Sequence, residues 1–253
     1  MIPTITPQQR ESFAENGYAI FENVFTPDEM NELAAQIEAH QQRHEEALRA
    51  RENSGSDISR AGEITFTDHL AERDALIRAF TQRPEFVALA TEWLGPDVDL
   101  YWNQSVFKGP DGDKQFPWHQ DDGYTPVDPS PYLTVWIALN DATPENGCIS
   151  VRPGSHKNGL VPHESTPIGL ACYPLDDPDQ GIFVPLKAGS LVAFQSLTMH
   201  KSGVNRTQGT RKAYIAQYAK AGLRSAITKE PTPLRNSAGA SKRLKPGREK
   251  PRL

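Results

Sequence analysis

Two histidines and an aspartate are the residues of this 253-residue chain whose types and spacing favour metal chemistry. His119 and Asp121 stand two apart in "FPWHQDDGY", and on a β-strand such residues project from the same face. That geometry favours Asp121 as the ligand over Asp122, which would project the opposite way. His200 ends the strand-like "SLVAFQSLTMH" and completes a set of two nitrogens and one carboxylate oxygen. Such a set binds one face of octahedral Fe(II) and leaves three positions open.

An arginine beyond His200 adds a second cue, which matters because an isolated His-x-Asp tripeptide occurs by chance in many proteins. In "HKSGVNRTQGTRKAY" a turn follows His200, and Arg211 then begins the next strand, where its side chain can reach back between the sheets. A buried guanidinium needs an anionic partner, and its planar fork fits a carboxylate bidentately. A metal-chelating oxo-diacid would supply that carboxylate.

Helical patterns dominate the first hundred residues, which must help to position these groups. Thr26 and Glu29 form a capping-box pattern around Pro27 and precede apolar residues at helical spacing. Two more helices are predicted over "DHLAERDALIRAF" and "RPEFVALATEWLG". The last begins at Pro84 and stops at Gly95, in the places where helices favour these residues.

After Pro96 the apolar period changes from helical to two, which is typical of strands. Five segments are rich in β-branched and aromatic residues and are separated by turns. They are "VDLYWNQSVFK", "YLTVWIALND", "CISVRPGSH", "GSLVAFQSLTMH" and "RKAYIAQYAK". The pattern predicts a β-sandwich or barrel and not alternating βαβ units. We predict one domain over residues 1–223, mainly helical over 1–95 and mainly strand over 96–223, followed by a tail over 224–253.

The charge of the chain, which is −5 overall, is unevenly distributed. Nine Lys and Arg residues stand against two Glu from Ala221 onward, so this segment carries +7 and the preceding residues −12. The basic tail is predicted to be solvated and mobile, and the acidic body argues against a nucleic-acid groove. No secretory signal or membrane-spanning apolar stretch is recognisable. Two cysteines in unrelated contexts do not indicate a disulfide framework. A small molecule is therefore the expected partner.

Three segments in order resemble the phytanoyl-CoA dioxygenase family of Fe(II)- and 2-oxoglutarate-dependent oxygenases. They are "FKGPDGDKQFPWHQD", "VWIALNDATPENGCISVRPGSHKNGL" and "GSLVAFQSLTMHKSGVNRTQGTRKA". The resemblance implies a mainly β fold, a cupin-like double-stranded β-helix or jelly-roll, with the N-terminal helices packed on one side. It also implies that O2 oxidises, most simply hydroxylates, a small or medium-sized organic substrate while 2-oxoglutarate becomes succinate and CO2.

The resemblance further implies which residues hold the metal and the cosubstrate. His119, Asp121 and His200 are carried over as the iron ligands, and no other catalytic side chain is assigned. Arg211, with Ser202 beside it, would pair with the distal carboxylate of 2-oxoglutarate.

Two other positions, Gln104 and Trp136, line the 2-oxoglutarate pocket in the family. Trp136 could equally belong to the hydrophobic core, and Gln104 could be an exposed strand residue. Candidates for contact with the substrate are Phe107, Trp118, Asp122, Tyr124 and His163. Asp122 stands where an apolar residue is common, so it is expected to touch a polar substrate or solvent.

Related halogenases carry a small residue in place of the carboxylate ligand, so Asp121 predicts hydroxylation or another oxidation and not halogenation. Two other functions remain open: a non-oxidative zinc enzyme with the same three ligands, and a metal-free binding module on a jelly-roll. The cytoplasm is the expected compartment. The peroxisome is the weaker alternative, because the terminal "PRL" departs from the S-K-L address.

Overall fold

The structure is a computed structural model, and it describes residues 4–50, 58–110, 112–113, 115–172 and 181–228. Five α-helices lie in the first 95 residues of the described chain. They are α1 Pro7–Asn16, α2 Pro27–Ala50, α3 Leu70–Arg73, α4 Ala75–Thr81 and α5 Pro84–Leu94.

Local sequence signals explain where these helices begin and end. The hydroxyl of Thr26 accepts a hydrogen bond from the Glu29 amide, and the Glu29 carboxylate accepts one from the Thr26 amide, which confirms the predicted capping box of α2. The single helix predicted over "DHLAERDALIRAF" is two helices. Asp74 interrupts it because its carboxylate caps α4, accepting hydrogen bonds from the Leu76 and Ile77 amides.

Fourteen strands and two short 3₁₀ turns make up most of the remaining described structure. The strands are β1 Tyr18–Phe21, β2 Ile64–Asp68, β3 Val98–Lys108, β4 Phe116–His119, β5 Val127–Asp128, β6 Leu133–Ala138, β7 Ile149–Val151, β8 Glu164–Thr166, β9 Gly169–Ala171, β10 Ile182–Phe183, β11 Leu191–Gln195, β12 His200–Ser202, β13 Arg211–Lys220 and β14 Arg224–Ser225. The 3₁₀ turns are Asp121–Gly123 and Ser155–Asn158.

Two antiparallel sheets face each other in a jelly-roll. The larger sheet has the order β1-β11-β6-β13-β3-β2, and the smaller one has the order β10-β7-β12-β4. One apolar cluster fills the space between the helices and the outer face of the larger sheet. A second cluster, with Trp136 and Phe194 from the larger sheet and Val151 from the smaller one, lies between the sheets. The mainly β fold with helices on one side is as predicted.

The boundaries inside the chain differ from the predicted ones at two places. The first 95 residues are not only helical, because they also supply β1 and β2, which form the two edges of the larger sheet. The folded body continues past residue 223, because β14 pairs with β5 and residues up to 228 are described. Most of the predicted basic tail, residues 229–253, lies outside the described residues.

None of the helices within the described ranges combines the length and the apolar character needed to cross a membrane.

Candidate metal and 2-oxoglutarate site

The two histidines come from neighbouring strands of the smaller sheet. His119 ends β4 and His200 begins β12, where the two residues are paired across the sheet with ring centroids 4.1 Å apart. The Nδ1 atom of each ring contacts the carbonyl oxygen two residues earlier, at 2.9 Å for His119 and 3.0 Å for His200. A carbonyl only accepts, so Nδ1 donates in both rings, and Nε2 of each ring is left to face the metal position.

Asp121 faces both free nitrogens. Its Oδ1 lies 3.8 Å from Nε2 of His119 and 3.5 Å from Nε2 of His200. Its Oδ2 is held from the larger sheet, by Thr134 Oγ1 at 2.6 Å and by Gln217 Nε2 at 2.9 Å. These two donors leave Oδ1 to point at the histidines.

The three ligand atoms lie within 4.8 Å of one another. Burial first, and then the neighbouring His200, lower the pKa of His119 well below its usual value, so this ring stays neutral and brings no proton to the cluster. A metal takes each histidine as the neutral ring, and the three lone pairs that then face one another would repel without a cation between them. Two imidazole nitrogens and one carboxylate oxygen on one side are the ligands that non-haem Fe(II) takes, so the residues fit the predicted metal.

The reason why Asp121, and not Asp122, faces the histidines differs from the predicted one. Alternation along a strand does not apply, because β4 ends at His119 and Asp121 begins a 3₁₀ turn. The turn is fixed by Gln120, whose side chain is fully buried and donates to the carbonyl oxygens of Gly159 and Leu197. Tertiary contacts of this glutamine therefore orient Asp121.

His163 belongs to the support of this turn and not to a substrate-facing wall, contrary to the prediction. Its Nδ1 contacts the Val161 carbonyl at 2.8 Å, and its Nε2 accepts the Gln120 amide hydrogen at 3.0 Å. Both ring nitrogens are thus engaged with backbone, and the second contact holds the residue that lies between the two ligands His119 and Asp121.

Asp122 also differs from the expectation that it would touch a polar substrate or solvent. It is buried, and its Oδ2 accepts a hydrogen bond from Ser130 while its amide donates to the Ser196 carbonyl. Burial raises the pKa of this carboxyl to about 6. Asp122 therefore ties the turn to the loop that carries Ser130.

Arg211 lies between the sheets, as predicted. It is 1% exposed, its Nε has no hydrogen-bond partner among the described residues, and Nη1 makes one long contact of 3.4 Å to the Val106 carbonyl. Its guanidinium lies over the Trp136 ring at 5.3 Å from the centroid. Burial lowers the pKa of Arg211 to about 10, because no anion among the described residues offsets the lost hydration.

Trp136 is both a core residue and the aromatic surface against which the Arg211 guanidinium packs. Ser202 is buried in β12, two residues beyond His200. Gln104 is half-buried on β3, where its Oε1 accepts a hydrogen bond from the indole of Trp102 at 3.1 Å. It is paired with Ile215 of β13 and is thus on the strand next to Arg211.

A lysine that the sequence reasoning missed lies beside Arg211. Lys108 is the Cα partner of Arg211 across β3 and β13, and it is 3% exposed. Its Nζ donates to Ser202 Oγ at 3.0 Å. Burial and then Arg211 lower the pKa of Lys108 to about 7. Among the described residues no carboxylate offsets either charge, so two buried cations share one anion-free space.

The remaining substrate candidates are placed on different sides of the sheets. Phe107 packs in the cluster under the helices, because it alternates with Lys108 and faces away from the site. Trp118 packs with Cys172 and Met199 in a separate cluster, so it too is not at the site. Tyr124 does lie there: its ring meets His119 edge to face at 5.7 Å.

Comparison with known proteins agrees with this geometry. A sequence profile of the phytanoyl-CoA dioxygenase family matches residues 13–213. A probable phytanoyl-CoA dioxygenase of Caenorhabditis elegans is 31% identical over 239 residues, which span 85% of this chain and 75% of the relative. The peroxisomal phytanoyl-CoA dioxygenase of Rattus norvegicus is 27% identical over 83% of this chain and 67% of its own.

Among solved structures, SnoK, a non-heme alpha-ketoglutarate-dependent carbocyclase from nogalamycin biosynthesis, superposes with a TM-score of 0.73 at 23% identity. The match covers 88% of this chain and 87% of SnoK, and it confirms the jelly-roll fold. The profile match contains both histidines, Asp121 and Arg211. The chain therefore belongs to the phytanoyl-CoA dioxygenase family of Fe(II)- and 2-oxoglutarate-dependent oxygenases.

Proposed function

We propose that His119, Asp121 and His200 hold the Fe(II) with which this protein hydroxylates a small or medium-sized organic substrate. The observation that carries the proposal is that a cluster of metal-ligating atoms and an unpaired buried cation both lie between the sheets. Three acceptor atoms lie within 4.8 Å of one another, and the buried guanidinium of Arg211 has no anion among the described residues. A divalent metal chelated by a diacid satisfies both. When bound, Fe(II) and 2-oxoglutarate supply the oxidation: O2 converts 2-oxoglutarate to succinate and CO2 and adds one oxygen atom to a C–H bond.

The side chains of the protein bind and orient these groups. Thr134 and Gln217 hold Oδ2 of Asp121, so that Oδ1 is directed to the metal position. Arg211 is the anchor for the distal carboxylate of 2-oxoglutarate, since its fork suits a carboxylate and its Nε is unpartnered. Trp136 keeps the guanidinium in place and excludes water from one side. We assign Gln104 to the wall of the same pocket.

Hydroxylation is favoured over halogenation because Asp121 supplies a carboxylate at the position that a halide would need. Two hydrogen bonds, at 2.6 and 2.9 Å, hold the carboxylate in the orientation that a metal ligand needs.

The substrate is proposed only as a chemical class. The relatives are named for phytanoyl-CoA and SnoK for a carbocyclisation in nogalamycin biosynthesis, so one family and one fold accompany different substrates. Tyr124, whose ring meets His119, is the residue we assign to the substrate wall. An acidic body makes a highly anionic thioester or a nucleic acid a poorer partner. The cytoplasm is the proposed compartment, and the peroxisome is the alternative that the rat relative supports.

Succinate formation tests the proposal. The protein with Fe(II), 2-oxoglutarate and O2 should release succinate, and a substrate screen should find compounds that stimulate the release. Asp121→Ala should lower this rate about 100-fold or more, since a ligand is lost, whereas the isosteric Asp122→Asn should retain most of it. Equal losses in both variants would contradict the assignment of Asp121.

The same assay separates the two other functions. A zinc enzyme would release no succinate in this assay, whether Fe(II) or Zn(II) is added. A metal-free binding module would bind neither a metal nor 2-oxoglutarate. The zinc enzyme would be favoured if the protein bound Zn(II) tightly and released no succinate with Fe(II), O2 and any substrate tested.

A further inference from the structure

Lys108 is a buried cation that has no role in the proposed reaction. It is the last residue of β3, and its side chain lies between the two sheets. Arg211 of β13 is its direct cross-strand partner. Its side chain also lines a small cavity with Glu63, Ile64 and Phe116. A lysine is rarely buried without a carboxylate, because the loss of hydration is not offset.

The ammonium group is held by three oxygen atoms. Its Nζ lies 3.0 Å from Ser202 Oγ, 3.4 Å from the Ser202 carbonyl oxygen and 2.5 Å from the Gly203 carbonyl oxygen. The backbone leaves room for it: a Cβ on Gly147 would lie 2.5 Å from the Gly203 oxygen and 3.1 Å from Cδ of Lys108. Three donors thus meet three acceptors, and the position of Nζ is fixed.

This contact sets the direction of the Ser202 hydroxyl. Its oxygen accepts from Lys108, so its own hydrogen is left to donate elsewhere. Within the described ranges, no hydrogen bond donated by this hydroxyl is formed. The unpartnered Nε of Arg211 belongs to the same buried space, because Arg211 is paired with Lys108 across the sheet. A hydroxyl donor, a guanidinium and an ammonium therefore surround a space that lacks an anion.

We propose that Lys108 is a positioning residue for 2-oxoglutarate: it turns the Ser202 hydroxyl towards the distal carboxylate and adds a second positive charge beside Arg211. The inference rests on the proposed function above. Lys108 does not itself touch the cosubstrate, because its three donors are already engaged. Its effect should therefore depend on the distal carboxylate and on Ser202, and not on the metal-chelating end.

The test compares two 2-oxo acids that differ only at the distal end, 2-oxoglutarate and 2-oxopentanoate. Their dissociation constants are measured by calorimetry on the Mn(II)-loaded protein, which binds without turnover. Lys108→Met should weaken 2-oxoglutarate about 10- to 100-fold, the range for a lost hydrogen bond to a charged group. It should change 2-oxopentanoate by less than about twofold. Lys108→Arg, which returns the charge, should recover part of the loss.

Two further variants make the test independent of how well Lys108→Met folds. Ser202→Ala should show the same selectivity for 2-oxoglutarate, and combining it with Lys108→Met should add little, because both act through one hydroxyl. Lys212→Met is the matched control: Lys212 is the next residue on β13, and its ammonium contacts Glu38 on the helical side. It should leave both constants unchanged.

Equal weakening of both acids by Lys108→Met or by Ser202→Ala would show a merely structural role and overturn the inference. Unchanged affinity for 2-oxoglutarate in Lys108→Met would also overturn it. If the unmodified Mn(II)-loaded protein binds neither acid, the proposed function itself fails and the inference fails with it.

Discussion

At the scale of single residues, the site is defined by polar groups that have no complementary partner among the described residues. Two imidazole nitrogens and one carboxylate oxygen face one another, and two cations lie in a buried space with no described carboxylate. Each half would be unfavourable alone, since buried polar groups without partners lower stability. A metal chelated by a diacid resolves both at once, which is why the two halves are best explained together.

The hydrogen bonds to Asp121 give a prediction at this scale. Thr134→Val keeps the shape of the side chain but removes the donor at 2.6 Å from Oδ2, so the carboxylate loses part of its orientation. Metal affinity should fall about 10- to 100-fold, as it does when outer contacts of a metal ligand are removed.

Calorimetric titration with Mn(II) measures that fall. Thr67→Val is a fair comparison, because the Thr67 hydroxyl is buried but donates to Gln41 of α2, on the helical side of the larger sheet. A Thr134→Val protein with unchanged metal affinity would show that Gln217 alone orients the carboxylate.

The lowered pKa of Lys108 predicts how 2-oxoglutarate binding depends on pH. Burial and Arg211 hold this pKa at about 7 in the absence of the cosubstrate. A bound carboxylate favours the charged form and raises the pKa, so binding takes up a proton above pH 7. Affinity should therefore be full below about pH 7 and fall between about pH 7 and 9.

Two neighbouring groups, Arg211 and Cys148, do not explain such a slope. Arg211 on β13 has a pKa of about 10, and burial raises the pKa of Cys148, before β7, to about 11, so both lie above the window. Glu63, before β2, lines the same small cavity as Lys108, so a comparison with a Lys108 variant is needed to assign the proton. Dissociation constants on the Mn(II)-loaded protein across this range measure the slope, and Lys108→Met should flatten it. A slope that persists in Lys108→Met would assign the proton to another group.

At the scale of the secondary-structure elements, the turn after β4 determines which carboxylate meets the metal. Gln120 is fully buried, and His163 accepts its amide hydrogen at 3.0 Å. A Cβ on Gly123 would lie 2.5 Å from Nε2 of His163, so the glycine permits this approach. The turn is thus held from outside, by the loop that carries residues 159–163.

This support predicts that His163 acts on metal binding and not on substrate recognition. His163→Ala should lower Mn(II) affinity about tenfold and leave the KM for a substrate found in the screen unchanged at saturating metal. His156→Ala is the control, since His156 contacts the Ala14 carbonyl at the N-terminal helix. A raised KM with unchanged metal affinity would instead restore the substrate-facing role.

A strand boundary could be predicted from the sequence where it depends on residues that are close together in the chain. Strands β3 and β13 begin and end where the period-two pattern begins and ends, because both are long and alternate regularly. The end of β4 at His119 was not predictable, since it depends on Gln120 reaching loops 39 and 77 residues away in the chain.

The same distinction applies to the site. His119, Asp121, His200 and Arg211 were found because their types and order carry a recognisable pattern. Three other residues could not be found from pattern alone, because a polar residue on a strand reads as solvent-facing until its partner strand is known. They are Thr134, Gln217 and Lys108. A weak signal existed for the first two, since the strand period places Thr134 on the same face as Trp136 and Gln217 on the same face as Arg211.

At the scale of the whole molecule, the site lies between the sheets because each sheet supplies a different part of it. The smaller sheet brings the two histidines on β4 and β12. The larger sheet brings Arg211 and the side chains that orient Asp121, and the helices cover its other face. This division explains why two facing sheets can form such a site: the smaller sheet supplies the histidines that bind the metal, and the larger sheet supplies the arginine that orients the cosubstrate.

The central claim is that these two parts bind one Fe(II)–2-oxoglutarate chelate. An anaerobic titration tests it most directly, because Fe(II) chelated by a 2-oxo acid absorbs visible light through charge transfer. Adding 2-oxoglutarate to the Fe(II)-loaded protein should produce this absorption, saturating at one equivalent, and His119→Ala or His200→Ala should remove it. Failure of the Fe(II)-loaded protein to develop the absorption at any 2-oxoglutarate concentration would contradict the account.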